Sequence, residues 1–361
     1  MIRPLRILRR LQRQALRRGF RPGRNLPPIA QVEFRASESV LAAIASLGRT
    51  EDLRFSPDNR LLAVAGFGRR KILMLQVRLE TTDAGPVVVS DDFLEITSDG
   101  IGRVHGIDFI DERTLVVANR DGVVTLLEVP EPGPGRRSVE VSVIGEVRGS
   151  DGARVDSPGS VAVGRTPDGL VELIVCNNYV DHVTRHVLDP GDGFAERGAA
   201  IAYRRGLEIP DGVAVSNDGR WTAISSHYTH DVKVFMSGAV TRGTPAPVGV
   251  LRKVNYPHGL RFTPDDRHLL VADAGSPFVH VYARGEGWSG SRQPERSVVV
   301  LDEATFVRGR RNPEEGGPKG LDIDRTGTVV AVTCEERALA FFALEQFTGT
   351  KAVPAAVAAA R

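Results

Sequence analysis

The chain has 361 residues, 41% hydrophobic and 25% charged, a balance that excludes extended disorder; it has no run of about 18 apolar residues that could cross a membrane. Aromatics make up only 6%, whereas Gly (38) and Pro (22) are abundant, which favours short strands joined by turns over long helices. The formal net charge of +2 conceals an uneven distribution: residues 1–24 carry nine Arg and no Asp or Glu, leaving 38 basic against 45 acidic residues, a body of about −7.

Residues 4–18 (PLRILRRLQRQALRR) are the first predicted element. At about 100° per residue, Leu5, Leu8, Leu11, Ala15 and Leu16 share one side, and Arg6, Arg9, Arg10, Arg13 and Arg17 the other. Pro4 suits the first turn of this short basic amphipathic helix. Such a helix suits an anionic membrane surface or an acidic protein partner, or it docks on the acidic body. Nucleic acid is disfavoured, because the body is acidic and no aromatic residue precedes Phe20. Residues 19–28 are rich in Gly and Pro and read as a linker, so 1–28 form one unit and 29–361 another. Arg interrupts every apolar stretch of the N-terminus, and Cys176 and Cys334 cannot build a disulfide framework in so long a chain. A cytoplasmic location is expected, peripheral at a membrane surface if the helix binds one.

Six segments then read alike. They are EDLRFSPDNRLLAVAG from Glu51, HGIDFIDERTLVVAN from His105, GSVAVGRTPDGLVELIVCN from Gly159, DGVAVSNDGRWTAISS from Asp211, HGLRFTPDDRHLLVAD from His258 and KGLDIDRTGTVVAVTC from Lys319, spaced by 54, 54, 52, 47 and 61 residues. Each has an alternating strand, a turn of Pro, Asp, Asn or Gly, and a second apolar strand. A third strand follows (KILMLQV, VVTLLEV, DVKVFM, FVHVYA), then a more polar fourth such as DDFLEIT. Four antiparallel strands repeated six times predict an all-β, six-bladed β-propeller, with blades beginning near 51, 105, 159, 211, 258 and 319. Either residues 29–47 or the tail at 346–361 is expected to supply the outer strand of the last blade.

The Pro-Asp-Gly and Pro-His-Gly strand starts, with turns of the Ser-Pro-Asp kind, resemble those of six-bladed propellers of the NHL-repeat, gluconolactonase and strictosidine-synthase-like group. The resemblance spans residues 50–345 and is one of fold grammar. It implies a ligand site at one channel mouth. Gluconolactonase-like enzymes hold a divalent cation there with Glu, Asn and Asp from strand starts, to which Glu51 and Asp211 would correspond. Peptide-amidating-lyase-like propellers use histidine-bound zinc, for which His105 and His258 would serve.

Independently of that resemblance, antiparallel pairing places the start of a first strand and the end of a second on the same face. The inner ring is then Glu51, His105, Gly159, Asp211, His258 and Lys319. Across a six-fold axis Glu51 faces Asp211, and His105 faces His258. Two imidazoles and two carboxylates suit a divalent metal such as Zn²⁺, Fe²⁺, Mn²⁺ or Ca²⁺, or else general acid–base work without one. Asn119, Asn178, Tyr179, His227, Tyr228 and Asp273, at the ends of second strands, join Lys319 as candidate substrate-binding residues. No Walker loop, dinucleotide fingerprint or Gly-x-Ser-x-Gly is present, so no nucleotide cofactor is expected. These residues predict a small-molecule-binding propeller with a polar, metal-binding mouth that acts as a lactonase-like hydrolase or a lyase. The alternative is a non-enzymatic scaffold that binds a protein or peptide and is tethered by its N-terminal helix.

Overall fold

The computed structural model describes residues 27–130, 137–150, 152–237 and 244–349; the predicted helix at 4–18 and the tail at 350–361 lie outside them. Among the described residues, no helix is long and apolar enough to cross a membrane. The fold is an all-β propeller. The innermost strands Thr50–Phe55, Val104–Asp111, Pro158–Arg165, Pro210–Val215, Pro257–Phe262 and Pro318–Ile323 pack against one another in chain order, and the last returns to the first. Each is followed outward by antiparallel strands, beginning with Leu61–Gly66 and Lys71–Gln76 in the first repeat.

The repeats set this order through two local devices. In the Ser/Thr-containing turns a hydroxyl bridges the hairpin: Ser56 Oγ accepts the Leu61 N–H at 2.9 Å and donates to Asp58 Oδ1 at 2.6 Å. Ser216 and Thr263 repeat this arrangement with Asp218 and Asp265. The second device is apolar packing between neighbouring sheets. Leu62, Val64, Leu73 and Leu75 are fully buried in one such layer, each worth about 1.5–3 kcal/mol of removal from water.

Among the described residues, the six four-stranded sheets expected from sequence are corrected to seven sheets of three to five strands. The additional sheet comes from residues outside the repeat. Between the third and fourth strands of the first repeat, Arg78–Thr82 and Gly85–Ser90 form an antiparallel hairpin, and Glu33–Ala36 pairs in parallel with Gly85–Ser90. The first and fourth repeat sheets each gain a short parallel edge strand from further along the chain, Ser138–Glu140 and Gly290–Arg292. These additions cover sheet edges that would otherwise expose unpaired backbone. The last repeat sheet has three assigned strands. The N-terminal segment reaches it through the Val32 N–H, which donates to Phe341 O at 2.8 Å, and Ile29 bonds to Val299 of the preceding sheet. Residues 38–46, in one of the two segments considered for the outer strand, form a helix capped by the Ser37 hydroxyl. Both cysteines are buried and free.

Candidate functional site

Each inner strand is irregular near its start. Register slips occur between Thr50 and Leu53, Val104 and Gly106, Pro158 and Ser160, Pro210 and Val213, Pro257 and Leu260, and Pro318 and Leu321. These bulges let neighbouring strands close tightly around the axis. Glycine is needed there: a Cβ on Gly212 would stand 2.1 Å from His258 O, and one on Gly320 would stand 2.6 Å from Asp52 Cα. The recurrent x-Gly strand start is therefore a packing signature, and the residue before the Gly lies at the mouth of the channel.

Glu51, His105, Asp211, His258 and Lys319 converge there, all buried. The His105 and His258 rings stack across the axis with centroids 5.3 Å apart. Glu51 Oε2 lies 3.9 Å from His105 Nε2 and 3.5 Å from His258 Nε2, and His258 Nε2 is 3.0 Å from Asp211 Oδ2. Glu51, His105 and His258 each offer one ligand atom within 4.8 Å of the others. His105 Nδ1 is 2.6 Å from Gly159 O, which makes that nitrogen the N–H donor and leaves Nε2 as the lone-pair atom facing Glu51. Glu51 Oε2, Asp211 Oδ2 and Asn178 Oδ1 are buried without a hydrogen-bond partner.

Charge sets the protonation states. Burial pushes the Glu51 carboxyl up, but Lys319, then His105, Arg49 and His258, overcome it and hold the group at about 2. Burial, aided by Arg120, pushes His105 down to about 3 against Asp211 and Glu51, so the ring is neutral at pH 7. Burial also opposes ionisation of Asp211, yet His258 and His105 hold it well below the usual carboxylate range. Lys319 resists its own burial through Glu51 and Glu315 and stays charged.

The other sequence candidates occupy different environments. Asn178 Nδ2 donates to Asp211 Oδ1 at 2.6 Å, so it orients a mouth carboxylate. His227 Nε2 meets Glu315 Oε1 at 3.2 Å. Tyr179 is 58% exposed at the rim, with the Arg120 guanidinium over its ring, and the Tyr228 N–H bonds to Glu208 O. Asn119 and Asp273 are wholly buried and engaged within the scaffold. Asn119 bonds Gly102 N, Gly100 O and Thr125 Oγ1, while Asp273 accepts from His280, Asn255 N and Gly275 N.

Arg49 and Glu315 escaped the sequence reading of the site. Arg49 pairs with Glu51 and lies 3.3 Å from Glu335, and Lys319 Nζ lies 3.5 Å from Glu335 and 3.1 Å from Glu315. Glu315 comes from the segment that follows the helix Glu303–Gly309 and reaches Lys319 and His227. Its signal was the longest repeat spacing, 61 residues, between His258 and Lys319. The channel leaves a cavity of about 10 Å³ among Glu51, His105, Asp211 and His258, room for one water or ion.

The fold and site thus define a β-propeller with a buried Glu/His/His cluster at its axis. No family model matches the chain, and no curated protein does either. Among solved structures, a functionally unknown protein from Desulfotomaculum acetoxidans DSM 771 is similar at 14% identity with a TM-score of 0.47, over 79% of this chain and 75% of that one.

Proposed function

We propose that this protein is a small-molecule-binding propeller whose mouth holds one divalent cation on Glu51, His105 and His258, and that it acts on an oxygenated substrate as a lactonase-like hydrolase or a lyase. The observation that supports this is orientation. The Gly159 carbonyl fixes His105 so that its Nε2 lone pair faces Glu51 Oε2, a buried oxygen without a hydrogen-bond partner. Lone pairs so opposed repel each other unless a cation stands between them. Tetrahedral ligands at about 2.0–2.2 Å from an ion are roughly 3.4 Å apart, close to the 3.5 and 3.9 Å separations here. The two-imidazole, one-carboxylate set favours Zn²⁺ or Fe²⁺ over Ca²⁺, which prefers oxygen ligands.

When bound, such an ion polarises a carbonyl or acidifies a water. The chain's own residues then have separate tasks. Gly159 O orients His105 through its other ring nitrogen, as outer partners of metal ligands commonly do, while Asp211 Oδ2, 3.0 Å from His258 Nε2, stands on the ligand side as a further oxygen for the ion. Lys319 and Arg49 partly offset the four carboxylates Glu51, Asp211, Glu315 and Glu335. The enclosed space accommodates an ion alone, so an organic ligand approaches from the rim, past His227 and Tyr179.

Elemental analysis of the full chain, purified without chelator, tests the reading. Stoichiometric zinc or iron is expected, with loss of the metal in the His105→Ala/His258→Ala variant. A folded native protein that carries no metal and takes up none from zinc or iron buffers overturns it. A lactone panel assayed with and without chelator then separates the hydrolase from the lyase.

A further inference from the structure

The opposite end of the same channel holds a larger space, about 340 Å³, within the range of small-molecule pockets. It arises from one position of the repeat. Three residues after each strand start stand Arg54, Asp108, Ala162, Ala214, Arg261 and Asp322. Four large charged side chains fill one side of the ring, while two alanines leave the other side open. All six line the cavity, and Val163, Val215 and Phe262 add apolar wall.

Hydrogen bonding on the charged side is one-sided. Asp108 Oδ1 accepts from Phe109 N and Arg54 Nε, and its Oδ2 accepts from Val163 N. Asp322 accepts from Phe55 N and Arg261 Nε, and Asp52, just beneath, accepts from Leu53 N and Ile107 N. Asp324 accepts from the Thr326, Thr328 and Val329 amides. Every one of these carboxylate oxygens is engaged. The donors are not: Arg54, 1% exposed, uses only Nε, and its Nη1 and Nη2 have no hydrogen-bond partner. Asp322 Oδ1 and Asp52 Oδ2 lie 3.8 Å from these nitrogens, at ion-pair distance without a hydrogen bond. A buried guanidinium with four N–H groups unmatched costs stability until an acceptor reaches it.

We propose that this cavity is a binding site for a small organic carboxylate with an apolar body. The carboxylate takes the unmatched Nη1 and Nη2 donors of Arg54, and the apolar part lies against Ala162 and Ala214. Net charge does not drive the binding, since the neighbouring carboxylates balance the guanidinium groups; selectivity comes from donors that only an acceptor can satisfy. A planar, forked guanidinium pairs with a carboxylate through two parallel hydrogen bonds, a match a spherical anion lacks.

Isothermal titration calorimetry of the full chain with benzoate, hexanoate, hexylamine and hexanol tests this. Both carboxylates are expected to bind with dissociation constants of about 1 mM or tighter, and the amine and alcohol at least tenfold more weakly. Ala214→Leu, which fills the apolar side, is expected to weaken hexanoate at least tenfold with an unchanged circular dichroism spectrum, and the smaller Ala162→Val is expected to act in the same direction. Absence of carboxylate binding, equal binding of hexanol and hexanoate, or undiminished binding in a folded cavity-filling variant overturns the proposal.

Discussion

Replacing Lys319 with Met is the sharpest test of how the mouth is held together. Lys319 Nζ lies within 3.1–3.5 Å of Glu315, Glu51 and Glu335, and it is 1% exposed. Removing one partner of a buried pair costs about 3–5 kcal/mol, because the remaining charge stays buried without compensation. The pH dependence gives a second measure. Glu51 is held at about 2 against an ordinary 4.5, which by linkage is about 3 kcal/mol of stability at neutral pH. A depressed carboxyl contributes fully above its unfolded value, and that contribution is lost as pH falls from about 4.5 toward 2. Lys319→Met removes the main force behind the depression, so burial raises the Glu51 carboxyl. The variant should therefore be weaker than the native protein at pH 7 by about 3 kcal/mol or more, with the gap narrowing below pH 4.5. Adding Glu51→Gln should recover about 2 kcal/mol of the loss, as expected for two residues in contact. Urea unfolding with chelator present, at pH 7 and at pH 3.5, measures both effects. A loss below about 1 kcal/mol, or a gap that does not change with pH, would refute the electrostatic account.

Three further outcomes follow from the same geometry. Gly212→Ala drives a methyl group into the His258 carbonyl, so the melting temperature should fall with a loss of about 2 kcal/mol, whereas Gly68→Ala, with nothing within 4 Å, should be close to neutral. Asn119→Ala strands Gly102 N, while Gly100 O and Thr125 Oγ1 each lose one bond but keep the one between them, and it should cost about 1–3 kcal/mol in urea unfolding while leaving metal content unchanged; metal loss would place Asn119 in the mouth instead. Asp322→Ala removes the acceptor for Phe55 N, which joins the last inner strand to the first; amide exchange at Phe55 should quicken, with about 3 kcal/mol or more of destabilisation, and unchanged exchange would show that this bond does not close the ring.

The repeat was readable because strand alternation and the Ser/Thr-x-Asp turns are local, and local hydrogen bonds such as Ser56 with Leu61 enforce the turn in the four copies that carry Ser56, Thr166, Ser216 or Thr263. The seventh sheet was not readable: it joins residues 33–36 to 85–90, a parallel pairing that no local pattern encodes. At the mouth, position along the strand brought Glu51, His105, Asp211 and His258 together, since the bulge at each x-Gly start is itself a local feature. One position separates Asn178 from Asn119. Asn119 is the last residue of its second strand and folds back on Thr125 of its own sheet, as Asn177 does on Thr184, whereas Asn178 lies one residue past its strand and turns toward Asp211 of the next inner strand. Glu315 was hidden for a different reason, because it belongs to an insertion and has no counterpart in the other repeats.

The two ends of the channel differ because successive positions of one strand carry opposite imbalances. At the strand starts the unmatched atoms are acceptors, on Glu51 and Asp211; three residues further on they are donors, on Arg54. Between them Arg261 lines both cavities and Asp52 lines the smaller one, with Asp52 engaged by backbone amides and Arg261 by Asp322. This charged layer also joins neighbouring inner strands, since Asp52, Asp108 and Asp322 each bond a backbone amide of an adjacent strand. Stability and partition of the channel therefore rest on the same side chains. A cation at one end and a carboxylate at the other would each meet the imbalance it complements, and neither could cross without displacing the groups that close the ring.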